Sequence, residues 1–196
     1  MGQPKRAGTK KEPAKAKKSS RGKKSKDQVI QVLNKARSAE LTAITQYMAH
    51  HYALDDADYG QVAANIKLIA IDEMRHAEMF AERIYEMGGV PTTDPDMESK
   101  KGQKIDQAIA YDIGLENTAI DDYNEFLEVC LRERDSISAK LFDQIIAEEQ
   151  EHLNYFENVK GHIDELGQAY LAQIAGGQAE SGPEARGFIA AQGGGA

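Results

Sequence analysis

Apolar residues recur at alternating steps of three and four along four long stretches of the chain. This spacing is typical of helices that bury one face in a bundle. Four long helices are predicted at about Asp27–Leu54, Tyr59–Met87, Ile105–Leu131 and Ser136–Leu166, with a short fifth helix at Gln168–Ile174. The expected fold class is therefore all-α, organised as a four-helix bundle.

The connections between the predicted helices indicate how the helices are arranged. The first pair is joined by a short turn at Asp55–Asp58, and the second pair by a short turn at Arg132–Asp135. Short connections make each pair antiparallel. The segment Gly88–Gln103 between the two pairs contains Pro91 and Pro95. It is long enough to form a crossover that runs the length of the bundle.

Both ends of the chain differ from the bundle in composition. Residues 1–26 are rich in Lys, Ala, Ser and Gly without an apolar cluster, so we predict a disordered basic tail. A capping-box pattern at Ser25–Gln28 is expected to open the first helix. Residues 176–196 contain seven glycines and predict a second flexible tail, which leaves 27–175 as the bundle domain. The apolar spot Gly187–Ala190 could contact a partner, but an unstructured end is the simpler interpretation.

Charge and cysteine content narrow the class of protein. Residues 1–26 carry eleven Lys or Arg and one acid, whereas residues 27–196 carry thirteen basic and 31 acidic side chains. No apolar run approaches the roughly 18 residues of a membrane span, and no apolar stretch follows the basic N-terminus as in a secretory signal. Cys130 is the only cysteine, which excludes a disulfide framework within one chain and favours the cytoplasm.

Six ionisable residues interrupt the apolar seams at positions where the spacing demands an apolar side chain. They are Glu40, Glu73, His76, Glu116, Glu149 and His152. The first three residues are spaced along the chain in the same way as the last three. One fixed step therefore relates Glu40 to Glu116, Glu73 to Glu149 and His76 to His152. We call this step the internal repeat. The flanking residues agree with it, because Glu40–Tyr47 matches Glu116–Tyr123 at five of eight positions.

This constellation predicts a metal centre in the core. Each pair of glutamates is centred on a turn, so the four carboxylates should lie at one height in the bundle. Four buried carboxylates cannot all stay ionised without compensation. Two divalent cations would neutralise them with one imidazole each, and mixed oxygen and imidazole ligands suit iron, with manganese and zinc as competitors. The alternative is that both Glu-x-x-His pairs are exposed pairs on helix surfaces.

The most specific stretches, Ala39–Tyr47, Ile71–Ala77 and Ala147–His152, resemble the bacterioferritins. The resemblance covers about Asp27–Ile174 and implies a ferritin-like bundle with a di-iron ferroxidase centre. Tyr47 matches a tyrosine close to that centre, although a purely structural core tyrosine is an equally good interpretation. The resemblance also implies a set of ligand roles: Glu40 and His76 for one iron, Glu116 and His152 for the other, and Glu73 and Glu149 as bridges.

Met74 breaks the internal repeat, because the repeat would place a residue like Gln150 there. As the neighbour of Glu73, it should point outward from the second helix. In the bacterioferritins a methionine at this place comes from each of two subunits and ligates a shared haem iron. The resemblance therefore implies haem as a second cofactor. The alternative is a methionine that only packs a dimer interface.

The resemblance implies a function in iron storage and detoxification. Two Fe²⁺ per subunit would be oxidised by O₂ or H₂O₂, and Fe³⁺ would pass to a mineral inside a homo-oligomeric cage of 24 subunits. The haem shared by each dimer would carry electrons for iron release. No interaction with a membrane is expected.

Two other functions remain open from the sequence. The basic tail at residues 1–26 could bind DNA non-specifically, and many tails on one cage would strengthen that weak contact, as in a nucleoid-protecting protein. The second alternative is a non-storage di-iron oxidoreductase, such as an oxygenase or an electron carrier of the rubrerythrin type. A rubredoxin module needs two Cys-x-x-Cys pairs, and only Cys130 is present.

Overall fold

The computed structural model describes residues 15–177 and 187–191, and within these ranges the chain is helical apart from turns and one crossover. The helices are α1 (Lys15–Asp56), α2 (Gly60–Glu86), α3 (Ile105–Arg132), α4 (Ser136–Leu166), α5 (Gln168–Ile174) and α6 (Phe188–Ala191). The predicted all-α class is confirmed. The fourth and fifth helices have the predicted bounds, and the second and third differ by one residue at their ends.

The first helix begins earlier than the sequence predicts. It starts at Lys15 rather than at Asp27, so part of the predicted disordered tail is helical, and residues 1–14 lie outside the described ranges. Residues 1–26 have no apolar cluster for tertiary burial, but an existing helix extends at the cost of only one residue's freedom per hydrogen bond. Ser25 consequently caps nothing, and its hydroxyl donates to the carbonyl of Glu133 at 3.1 Å.

The predicted antiparallel pairs form two hairpins, α1 with α2 and α3 with α4. Each hairpin turns through one residue in the left-handed region, Asp58 at φ 61° and Arg134 at φ 64°. The N–H of the next residue then donates to a carbonyl five residues back at 2.9 Å, from Tyr59 in the first turn and from Asp135 in the second. These bonds satisfy carbonyls that a helix end leaves free.

The apolar seams pack into two clusters, one towards each end of the bundle. One cluster contains Leu54, Ile66, Ile109 and Phe156, and the other contains Leu33, Phe80, Phe142 and Ile145. Most seam residues predicted from the sequence are buried, while Ile30, Ile44 and Ala119 are only partly buried. The six ionisable seam residues occupy the level between the clusters.

The crossover between α2 and α3 has no regular structure, yet α1 holds its backbone. Three N–H groups of the crossover, those of Thr92, Asp96 and Lys100, donate to side chains of α1 at 2.6–2.8 Å. The acceptors are Asn34, Thr42 and Gln46. The segment therefore follows α1 along the bundle, as its length predicts.

The C-terminal region differs from the flexible tail predicted at residues 176–196. Gly60 donates to the carbonyl of Gly177 at 2.8 Å, and α6 packs against α2 and α4. Phe188 is buried in a core cluster, which gives this short glycine-flanked segment an apolar anchor. Residues 178–186 and 192–196 lie outside the described ranges. No helix in the described part of the chain is long and apolar enough to cross a membrane.

Candidate metal centre

All six ionisable residues predicted from the seams lie in the core, and the structure brings them together. None of their side chains is more than 2% exposed. The first and third helices each contribute one glutamate, and the second and fourth each contribute a glutamate and a histidine. The side chains are Glu40 on α1, Glu73 and His76 on α2, Glu116 on α3, and Glu149 and His152 on α4.

The six side chains form two overlapping groups of potential metal ligands. One group contains Glu40 and His76, the other contains Glu116 and His152, and both contain Glu73 and Glu149. Within each group the ligand atoms lie within 4.8 Å of one another. The imidazole rings of His76 and His152 are stacked with centroids 5.9 Å apart. This geometry suits two cations bridged by the two shared carboxylates.

The electrostatics of the centre show how unusual this burial is. Burial and the negative charges of Glu149 and Glu73 raise the pKa of Glu40 and of Glu116 well above the usual range. Burial alone would also raise the pKa of Glu149, but the two neighbouring histidines lower it to about 2. Burial would lower the pKa of both histidines, yet the surrounding carboxylates raise it well above the usual value. The negative charges that raise the pKa of both histidines would equally favour bound cations.

The shared glutamates carry polar atoms without hydrogen bonds. Oε1 of Glu73 and Oε1 of Glu149 accept no hydrogen bond, although each lies 3.1–3.2 Å from a histidine Nδ1. Buried oxygen atoms in native proteins nearly always have a partner. Converging buried carboxylates and imidazoles, with two carboxylate oxygens that have no hydrogen bond, form a donor set that iron takes in proteins, so the residues present fit a pair of iron ions.

Two tyrosines hold Glu40 and Glu116 in place. We call these two the outer glutamates, because each belongs to only one of the two ligand groups. Tyr47 donates from its hydroxyl to Glu116 at 2.6 Å, and Tyr123 donates to Glu40 at the same distance. Each tyrosine therefore reaches across to the glutamate of the other hairpin. Tyr47 was among the predicted site residues, whereas Tyr123 was not. The internal repeat relates the two tyrosines, so the signal that identifies Tyr123 was present.

Two further carboxylates, which were not among the predicted site residues, lie behind the histidines. Glu148 Oε2 lies 3.1 Å from Nε2 of His76. Asp72 Oδ2 lies 3.6 Å from Nε2 of His152, which makes no hydrogen bond. Carboxylates in this position orient a metal-binding imidazole and increase its basicity. The internal repeat also relates Asp72 to Glu148, so it could have revealed this pair as well.

A small cavity of about 70 Å³ opens onto the centre between α1 and α3. Its walls include Glu40, Glu73 and Glu116 together with Ala39 and Ala119. Pockets for organic ligands typically enclose about 300–1,000 Å³. The cavity is therefore suited to an ion, water, O₂ or H₂O₂ rather than to an organic substrate.

Comparisons with known proteins agree with this geometry. A model of the ferritin-like domain matches residues 30–166. A bacterioferritin of Desulfovibrio desulfuricans is 53% identical over 166 residues, which cover 85% of this chain and 93% of that relative. A bacterioferritin of Streptomyces coelicolor is 34% identical over 148 residues, covering 75% and 89% of the two chains. The chain belongs to the bacterioferritin family.

Solved structures of bacterioferritins have the same fold. The Desulfovibrio desulfuricans bacterioferritin, whose diiron site has been captured in different catalytic states, matches with a TM-score of 0.81 and 52% identity. That match covers 86% of this chain and 98% of the other. A bacterioferritin of Mycobacterium tuberculosis matches with a TM-score of 0.72 and 32% identity, covering 76% and 94%. The predicted ferritin-like fold and the predicted function in iron storage are confirmed.

Met74 lies outside the metal centre of this bacterioferritin-family chain. Its side chain is 48% exposed. Ile71, one turn earlier on α2, is partly exposed on the same face. Exposed apolar residues that adjoin one another are typical of a surface that is covered in an assembly.

One further buried pair connects α1 to α3. His50 Nδ1 lies 2.8 Å from Asp112, and His50 Nε2 lies 2.8 Å from the side-chain oxygen of Gln103 in the crossover. Burial raises the pKa of Asp112 to about 6, although the contact with His50 opposes this shift. The internal repeat contains no counterpart of this pair, and no spacing in the sequence predicts it.

Proposed function

We propose that the chain is a ferroxidase, which oxidises Fe²⁺ at the centre formed by the six buried residues. The observation that carries this proposal is the pair of ligand groups that share two glutamates. Glu40 and His76 would hold one iron, Glu116 and His152 the second, and Glu73 and Glu149 would contact both. Two substrate ions held side by side can each give up one electron to the same oxidant.

The reaction balances with either oxidant. Two Fe²⁺ become two Fe³⁺, and the two electrons reduce O₂ with two protons to H₂O₂, or H₂O₂ with two protons to water. The cavity between α1 and α3 gives a small oxidant access to the centre. Tyr47 and Tyr123 orient the outer glutamates through their 2.6 Å hydrogen bonds. Product iron would then join a mineral store.

The size of the cavity also favours iron oxidation over the alternative of an oxygenase. An oxygenase must place an organic substrate beside the metals, and a cavity of about 70 Å³ has no room for one. The relatives identified by the comparisons are bacterioferritins, and they give no support to a protein whose main role is DNA binding. We therefore assign no DNA-binding role to the basic tail.

We further propose that Met74 would help to hold a haem shared by two subunits. Met74 is half-exposed on α2, and partly exposed Ile71 extends the apolar surface. A polarizable thioether beside apolar surface fits a porphyrin. Bound haem would supply electron transfer for iron release, while Met74 and its neighbours would bind and orient it.

The assembly that fits this function is a homo-oligomeric cage, and we propose 24 subunits in the cytoplasm. The body of the chain is strongly acidic, which attracts cations to the surfaces that enclose the store. A reducing compartment suits the free, buried Cys130. Light scattering of the purified protein would measure the number of subunits.

The experiment that tests the proposal follows absorbance as Fe²⁺ is added in air to protein purified under conditions that preserve haem. We expect rapid growth of ferric absorbance, with an initial phase that saturates at two Fe²⁺ per subunit. Dithionite should produce a sharp reduced-haem spectrum before iron is added. Ferric growth at the rate of a protein-free control would refute the ferroxidase, whereas fast oxidation without haem bands would refute only the role of Met74.

A further inference from the structure

The short helix α6 lies directly against the metal centre, far from it in sequence but close in space. Phe188 is only 6% exposed, and its ring meets the ring of His152 edge to face at a centroid distance of 6.0 Å. Tyr155 on α4 packs against the same ring at 5.2 Å. The segment Gly187–Ala191 therefore covers the side of His152 that faces away from the shared glutamates.

The same segment engages the carboxylate behind His152. The N–H of Ile189 donates to Oδ2 of Asp72 at 2.9 Å, and Arg75 donates to Oδ1 at 2.8 Å. Asp72 is 1% exposed, and both of its carboxylate oxygens accept these hydrogen bonds. Nε2 of His152 lies 3.6 Å from Oδ2 of Asp72 and makes no hydrogen bond. Gly187 adjoins Asp72 so closely that a Cβ at this position would overlap the carboxylate.

The other histidine is backed quite differently. Glu148 is hydrogen-bonded to His76 at 3.1 Å, and its side chain is 26% exposed to solvent. Water can therefore reach the residue behind His76 but not the residue behind His152. The cavity opens on the side of α1 and α3, whereas α6 contacts α2 and α4 on the other side. The centre is thus open on one side and closed on the other by the C-terminal segment.

We propose that Gly187–Ala191 is a cap on the metal centre, which shields the His152 position from solvent and holds Asp72 as a positioning residue behind that histidine. The cap makes the two metal positions inequivalent: the ion beside His152 exchanges more slowly than the ion beside His76. This inference rests on the proposed di-iron centre. It extends that centre with a part of the chain that supplies no ligand.

The first test measures whether the cap is docked in solution. The chain contains no tryptophan, so Phe188→Trp introduces a single fluorescent reporter at the cap. We expect emission shifted to the blue and acrylamide quenching several-fold weaker than for free N-acetyltryptophanamide. Emission and quenching equal to those of the free compound would overturn the proposal, provided that the variant binds metal like the unsubstituted protein.

The second test measures metal exchange with Co²⁺, whose visible absorption reports coordination. A chelator should remove the two Co²⁺ of the unsubstituted protein in a fast and a slow phase. Gly187→Ala should undock the cap by overlap with Asp72 and accelerate the slow phase by about tenfold, the size of effect typical of residues behind a metal ligand. Gly161→Ala is the matched control, because a Cβ at this position on α4 meets nothing within 4 Å.

A shift of the Asp72 side chain could leave the cap docked in Gly187→Ala. A chain without residues 187–196, which has no cap, therefore provides an independent test. The proposal is overturned if this shortened chain releases both Co²⁺ at the unsubstituted rates. Failure of the proposed centre has a different result, since the unsubstituted protein would then not bind two Co²⁺ at all. A slow phase that accelerates in both variants, with an unchanged fast phase, supports the cap.

Discussion

The hairpin of α1 and α2 and the hairpin of α3 and α4 agree wherever they face the metal centre. Both turn through a left-handed residue, at Asp58 and at Arg134, which the internal repeat relates to each other. Both supply an outer glutamate, a shared glutamate and a histidine, and each sends a tyrosine to the outer glutamate of the other. A centre for two ions needs each type of ligand twice, and the internal repeat supplies both copies.

The hairpins differ in residues that lie outside the two ligand groups. Met74 on α2 is a half-exposed thioether, whereas Gln150 at the equivalent place on α4 is exposed and bonds to Asn154 at 3.0 Å. Asp72 is enclosed by α6, whereas its equivalent Glu148 is partly open to solvent. The two hairpins thus have the same residues in the metal centre. They differ at positions where their side chains meet different neighbours.

The largest effect is expected from the shared glutamates. Glu73→Ala and Glu149→Ala should each abolish fast Fe²⁺ oxidation, because each removes a carboxylate that both ligand groups contain. Stopped-flow absorbance at two Fe²⁺ per subunit would measure this, and circular dichroism would check that the fold is kept. Gln150→Ala, an exposed neighbour of Glu149, is the control and should oxidise iron normally. Loss of activity in only one of the two glutamate variants would contradict the equivalence of the hairpins.

Substitutions at the outward-facing pair should affect haem alone. Met74→Leu should lose haem while it keeps the rate of iron oxidation, because Leu retains the apolar surface without the thioether ligand. Gln150→Met should not gain a second haem, since Gln150 adjoins Asn154 rather than an apolar surface. Haem content per subunit would be measured from the reduced spectrum. Haem retained in full by Met74→Leu would disprove the ligand role.

Metal binding should depend strongly on pH. The surrounding carboxylates raise the pKa values of His76 and His152, which favours the protonated rings when no metal is bound. Metal must displace these protons, and its apparent affinity should therefore rise with pH and fall in acid, by about tenfold per pH unit for each proton displaced. Calorimetry in buffers of different ionisation enthalpy would count the protons released. Binding of Co²⁺ without proton release would show that the histidines are already neutral.

The smallest effect is expected from the tyrosines, and it should be equal in both hairpins. Tyr47→Phe and Tyr123→Phe each remove one 2.6 Å hydrogen bond to an outer glutamate. A hydrogen bond to a charged group contributes about 1.5 kcal/mol or more, so the affinity of one of the two metal positions should fall roughly tenfold. Titration with Co²⁺ would measure both variants side by side. A large loss for Tyr47 alone would assign it a role beyond orientation.

Much of the fold and of the centre could be predicted from the sequence because both depend on spacing along helices. The bounds of α4 and α5 follow from periodicity and turn residues, and the six ionisable residues follow from their place in the seams. Tyr123, Asp72 and Glu148 were missed, although the internal repeat relates each of them to another residue near the centre. Their identification needed only a further application of the repeat.

Other features depend on contacts that no local pattern encodes. Ile189 and Asp72, which are hydrogen-bonded, are 117 residues apart in the sequence. The glycine-rich composition around α6 predicts flexibility, whereas the burial of Phe188 in the core holds the segment in position. His50 and Asp112 are 62 residues apart in the sequence, and the internal repeat relates neither of them to a similar residue. The N-terminal extension of α1 depends on propagation from an existing helix, which composition alone does not express.

The hydrogen bonds between α1 and the crossover bear on how the protein withstands proteases. A protease needs a stretch of backbone that can leave the surface and extend into its cleft. In the crossover, the N–H groups of Thr92, Asp96 and Lys100 are all held by side chains of α1. The longest irregular segment between the helices of the bundle should therefore resist limited digestion. Thr42→Ala removes the hydroxyl that accepts from the N–H groups of Asp96 and Met97 and leaves Asp96 bonded only to the carbonyl of Ser38, so it should make cleavage there faster.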